Sequence, residues 1–140
     1  RAAADAARAA PNGFVLTARA EAFLYGPADL GEVISRLQAF EEAGAEILFA
    51  PGLPDMEAVA AVCSSVSKPV NVLVFGALAK HSVEDFARAG VARLSLGGGL
   101  ANAAYAALVE TALDIKNSRG FSSIGAKRDA IKTFKSFIGN

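Results

Sequence analysis

Apolar and polar positions along this chain switch between two periods. Phe14–Ala18 is a short, nearly continuous apolar run, the pattern of a strand covered on both faces. From Asp29 to Ala43 the apolar residues Leu30, Val33, Ile34, Leu37 and Phe40 recur at helical spacing, and Gly44 stops them. Ile47–Ala50 reads as a second strand, closed by Pro51-Gly52-Leu53-Pro54. Asp55 can cap a helix running to Val66, with Met56, Val59, Ala60 and Cys63 on one face. Ser67-Lys68-Pro69 leads into a third strand, Val70–Phe75. Ser82, with Asp85 three residues on, has the arrangement of a capping box at the head of a short helix. Ala92–Leu96 is the fourth strand, and Gly97-Gly98-Gly99 precedes an Ala-rich helix from Leu100 to Asn117 that Gly120 ends. Phe121–Gly125 reads as a loop and 127–137 as a final helix. Ahead of all these, residues 2–10 are strong helix formers, broken by Pro11-Asn12-Gly13.

Two segments repeat. Ala43–Gly52, AGAEILFAPG, and Ala89–Gly98, AGVARLSLGG, share an Ala-Gly step, a spacer, a strand and a glycine-bearing exit. Each is a helix end turning through glycine into a strand, which is the βα unit met twice. Near-continuous apolar strands alternating with helices predict a parallel sheet. Four such units fit either an open doubly wound sheet or part of a (β/α)8 barrel. A whole barrel takes about 250 residues, so 140 residues make roughly half of one.

Composition narrows the function classes. With 53% hydrophobic residues the chain can bury a sizeable core, and one domain over 1–140 is the expectation. Fourteen basic and fourteen acidic residues cancel, so no net field favours nucleic acid or an anionic membrane. The single cysteine, Cys63, excludes an intrachain disulfide and suits a reducing compartment. No stretch has the length of a membrane span, and RAAADAARAA lacks the apolar core of a secretory signal. A soluble, cytoplasmic protein is expected. The chain opens inside a helical pattern without a methionine, which reads as a segment of a longer protein.

Ligand sites of parallel α/β folds lie at the C-terminal ends of the strands. Arg19 stands at the first such end, with five donors in a planar fork suited to a carboxylate or phosphate. Glu21, two residues on, shares its face on an extended chain, so Arg19 has a structural reading as an ion pair beside its functional one. Asn71 lies inside an apolar strand, where an amide needs partners: a ligand carboxylate or a neighbouring strand can supply them. Gly97, Gly98 and Gly99 let backbone approach a ligand at the head of a helix, a weak signal by itself. His81 has no partner at a recognisable spacing and reads as a solvated surface residue. Cys63 reads as core. The terminal helix is amphipathic, with Lys127, Arg128, Lys132 and Lys135 interspersed among Ile131, Phe134, Phe137 and Ile138, and its apolar face suits protein better than membrane.

In order along the chain, FVLTARAEAF, EEAGAEILFAPGL, KPVNVLVFG and FARAGVARLSLGGGL resemble four strand segments of the isocitrate lyase/phosphoenolpyruvate mutase superfamily. The resemblance covers nearly the whole chain and corresponds to the fifth to eighth βα units of that family's barrel. It implies an α/β fold of (β/α)8 TIM-barrel type with only the last four units present. It also implies a Mg2+-dependent enzyme that makes or breaks a C–C or P–C bond beside a carboxylate, through an enolate. Arg19 would be the catalytic residue and, with Asn71, Gly97 and Gly98, would bind a small carboxylate substrate, while Glu21 supports Arg19. The metal ligands belong to the half that is not here, so no metal is assigned to this chain. Pro51-Gly52 and Val74 replace glutamates that isocitrate and methylisocitrate lyases carry, which leaves a branch acting on a smaller oxo-acid or a phosphonate. The family's exchange of its last helix between subunits marks 127–138 as an interface and implies a homo-oligomer. The alternative is a non-catalytic half-barrel that self-associates to cover its open edges.

Overall fold

A computed structural model describes residues 1–125 and 128–139. They form two compact units, Arg1–Gly97 and Gly98–Asn140. Lys127, placed by the sequence at the head of the last helix, lies outside the described residues.

The first unit holds four short strands, β1 (Thr17–Arg19), β2 (Ile47–Phe49), β3 (Val70–Leu73) and β4 (Arg93–Ser95), all parallel and in the spatial order β1-β2-β3-β4. A doubly wound sheet would reverse direction from a central strand. This one adds each strand on the same side, as the wall of a (β/α)8 barrel does. The helices α1 (Ala2–Ala9), α2 (Leu30–Glu42), α3 (Met56–Ser65) and α4 (Val83–Arg88) belong to this unit. One set of alternating strand residues, Ala18, Leu48, Val70, Val72 and Leu94, packs with Val33, Leu37, Val59, Val62 and Phe86 of the helices into a single core.

Local chemistry explains the helix starts. The Asp29 carboxylate accepts from the Glu32 N–H at 2.9 Å and that of Asp55 from the Ala58 N–H at 2.8 Å. Ser82 and Asp85 form the reciprocal capping box. Gly44 adopts φ +100° after α2, and a Cβ there would meet Ala4 and Arg8 of α1 at about 3 Å.

Three elements differ from the sequence pattern. The first strand begins at Thr17 rather than Phe14, because its partner β2 begins opposite Thr17, and Phe14 and Val15 are left 62% and 50% exposed. Phe121–Gly125 is not wholly loop: Ser122–Gly125 makes a helical turn. His81 does have an acid at helical spacing: its Nδ1 lies 3.8 Å from the Asp85 carboxylate and its ring meets Phe86 edge-on.

The second unit carries α5 (Gly99–Ser118), the turn α6 (Ser122–Gly125) and α7 (Arg128–Ile138). α5 ends on Arg119 in the left-handed conformation, φ 52°, one residue before the expected Gly120. No helix among the described residues is long and apolar enough to cross a membrane.

Candidate functional site

The strand face turned away from the helices is the polar one. Parallel register aligns Arg19 with Phe49, Phe49 with Asn71, and Asn71 with Arg93, while Ser95 stands opposite Leu73. Period-two alternation then puts Thr17, Arg19, Phe49, Asn71, Arg93 and Ser95 on this one face. The face is concave. Four strands of a flat sheet would separate β1 from β4 by about 14 Å, yet the Arg93 Nη2 of β4 reaches the Thr17 Oγ1 of β1 at 3.4 Å.

Arg19 ends β1, and Ala20 behind it is fully buried, its N–H donating to the Phe49 carbonyl at 2.9 Å. The guanidinium lies over the Phe49 ring, 4.9 Å from its centroid. Its Nε is 2.7 Å from the Glu21 carboxylate. Ring and carboxylate thus hold one flat side and one edge, and the side chain keeps 49% of its surface in solvent. The expected pairing of Arg19 with Glu21 is present, and an anion can meet the guanidinium on its remaining edge.

Asn71 is only 1% exposed. Its Oδ1 accepts from the Arg93 Nε at 2.9 Å and its Nδ2 donates to the Ser95 Oγ at 3.0 Å. The Ser95 hydroxyl in turn donates to the Val72 carbonyl at 3.3 Å. A guanidinium can only donate and a carbonyl can only accept, so the chain Arg93 to Asn71 to Ser95 to Val72 has one polarity. Of the two ways of satisfying Asn71 that its position allows, this geometry displays the neighbouring strand.

The glycines follow separate logics. Gly97 takes φ +52°, and a Cβ there would meet the Leu73 side chain at 3.2 Å. Gly98, in the second unit, is the residue ahead of α5 and accepts from the Asn102 N–H at 2.8 Å. At the exit of β2, Gly52 has φ +88° and a Cβ would stand 3.0 Å from the Phe23 carbonyl. A side chain is excluded there unless the Ala22–Leu24 turn moves, which gives a physical basis to the absence of a carboxylate at that exit. Cys63 is partly buried, and burial raises its thiol pKa. A hollow lined by Leu16, Ala18, Phe40 and Ala45 is apolar and belongs to the helix side of the sheet.

Thr17, Phe49 and Arg93 are residues of this face that the sequence reading passed over. A charged residue opening the apolar run of β4 was the available signal for Arg93.

A curved wall of four parallel βα units added in one direction defines a (β/α)8-barrel class of fold. The phosphoenolpyruvate phosphomutase family model matches residues 1–116, and the chain belongs to that family. A solved candidate lyase/mutase from Burkholderia cenocepacia J2315 is 43% identical, with TM-score 0.85, over 95% of this chain and 49% of that one. A candidate phosphonomutase from the same organism is 27% identical, TM-score 0.64, over 85% of this chain and 48% of the other. A phosphonopyruvate hydrolase solved with oxalate and Mg2+ shares the fold, with 22% identity and TM-score 0.67, over 95% and 52% of the two chains. No match was found among curated proteins. The chain spans about half the length of the solved structures it matches.

The family is enzymatic, and Mg2+ accompanies that hydrolase. The described residues do not fit such an ion: they gather no group of three or more His, Cys, Asp or Glu side chains. Glu21, at the exit of β1, is already paired with Arg19.

Proposed function

We propose that this chain supplies one wall of the carboxylate site of an enzyme of the lyase, mutase or hydrolase type found in this family, with Arg19 as the group that grips the substrate. The observation that carries this reading is the state of the Arg19 guanidinium: stacked on Phe49, hydrogen-bonded along one edge by Glu21, and open on the rest. A carboxylate bound there would be held by charge-assisted hydrogen bonds. The same guanidinium would face negative charge developing on an oxygen beside that carboxylate as a C–C or P–C bond breaks. The steric closure around Gly52 and the apolar Val74 favour a small oxo-acid or phosphonate over a tricarboxylate. Any Mg2+ used in turnover would draw its ligands from outside the described residues, and Gly97 and Gly98 shape the exit of β4.

The test is turnover of phosphonopyruvate and of oxaloacetate, with Mg2+ supplied, by the full-length protein carrying this chain and by its Arg19→Lys variant. Losing the planar fork should lower kcat/KM about 10- to 100-fold. An unchanged kcat/KM in the variant removes Arg19 from the reaction.

A second reading, a non-catalytic half-barrel that self-associates, draws on the outer strands β1 and β4, each hydrogen-bonded on one side only among the described residues.

A further inference from the structure

Arg93 is an exposed arginine whose side chain is nevertheless anchored to two other strands. It opens β4, its neighbours Leu94 and Val91 pack on the core, and its own side chain crosses the concave face to β1. The Nε donates to Asn71 and one Nη2 hydrogen makes a long bond to Thr17, so both partners are neutral oxygens. Among the described residues no carboxylate pairs with it. Two of the five guanidinium donors are thereby satisfied and three carry no described protein acceptor. Arg93 is also exposed, so those donors are accessible from the concave side.

Its position is nevertheless well defined. Asn71 is buried and aims Oδ1 at the Arg93 Nε, and Ser95 fixes the amide from the other end. Flipping that amide would set an NH2 group against a guanidinium and leave buried donors unmet, which costs more than the hydrogen bonds themselves contribute. Thr17, the second anchor, lies two residues before Arg19 on the same strand and the same face, about 7 Å away along β1. Of the charged groups described on this face, Arg19 is paired with Glu21 and Arg93 with no carboxylate, which leaves a net positive charge.

We propose that Arg93 is a second anion-binding residue of the concave face, held in place by Asn71 and Thr17, which takes the second acidic group of a ligand whose first is on Arg19. Asn71 is then a positioning residue that acts through Arg93. The inference rests on the carboxylate reading of Arg19 and adds to it a basis for preferring dianions over monoanions.

The experiment compares binding of oxalate and of acetate, by calorimetry, to the full-length protein carrying this chain and to its Arg93→Met, Arg93→Lys, Thr17→Val and Arg19→Lys variants, with circular dichroism reporting the fold. Wild type should bind oxalate more tightly than acetate. Arg93→Met should weaken oxalate about tenfold and leave acetate within about twofold, because one charge-assisted contact to the second carboxylate is lost. Arg93→Lys and Thr17→Val, which disturb the site without removing a large side chain, should fall between. Arg19→Lys should weaken both ligands. Equal loss of oxalate and acetate in Arg93→Met, or loss of neither, overturns the proposal and leaves Arg93 as a structural brace. If Arg19→Lys changes neither ligand, the carboxylate reading of Arg19 fails, and the oxalate response of Arg93→Met still decides whether Arg93 contacts an anion. A wild-type full-length protein that binds neither ligand overturns both.

Discussion

At the residue scale the guanidinium of Arg19 shows how an ordinary contact becomes a prepared one. Its companion Glu21 was legible from spacing alone, since positions i and i+2 of an extended chain share a face. Its platform Phe49 was not, because thirty residues of helix and turn separate them and only the β1–β2 register brings them opposite. A cation over a ring contributes about 0.5–1 kcal/mol where solvent reaches it. Phe49→Leu should therefore weaken acetate binding at Arg19 about two- to fivefold, while Phe49→Tyr, which keeps a ring, should hold it near wild type. Equal affinity in Phe49→Leu, measured on a folded variant, would show that the ring does not prepare the guanidinium.

The elements are where sequence pattern and structure agree most closely, since a helix start is decided within four residues. Asp55 and Ser82 cap as the sequence predicts, and Asp29 caps α2 in the same way. Asp85 closes the box at α4, and the Ser82 backbone N–H holds its carboxyl below the usual aspartate range, with the Ser82 hydroxyl, Arg88 and His81 acting in the same direction. A carboxyl depressed in the folded state adds stability that is fully present above the ordinary aspartate pKa and is lost as pH falls through the lower folded value. Wild type should thus resist urea better than Asp85→Asn at neutral pH, and the two should converge as pH drops below about 4. A gap that persists or widens in acid would assign the effect to something other than this carboxylate. Strand limits were the less legible part: Phe14–Leu16 has the apolar content of a strand, but β2 begins only opposite Thr17 and reaches no further back than the Leu16 carbonyl.

For the whole molecule, the sheet order decides between the two architectures that βα repetition allows, and the family match agrees with a barrel wall. Among the described residues the two outer strands, β1 and β4, are each paired on one side, which leaves a strand edge open at either end of the wall. If self-association covers them, sedimentation of the 140-residue chain should show its mass rising with concentration across the micromolar range, and adding oxalate should not reverse it. A single, concentration-independent monomer would dispose of the self-associating reading and leave the enzymatic one standing.

By itself the sequence determined what depends on near neighbours: the alternation of strands and helices, the caps, the glycine turns, and an arginine with its carboxylate at a strand end. Family membership was legible too, because the strand-end motifs occur in order. Only the tertiary structure decided what depends on register and curvature. Arg93 meets Asn71 across 22 residues and Thr17 across 76. No local period encodes such distances; the pairing of four strands and the curl of the sheet bring those side chains to one face.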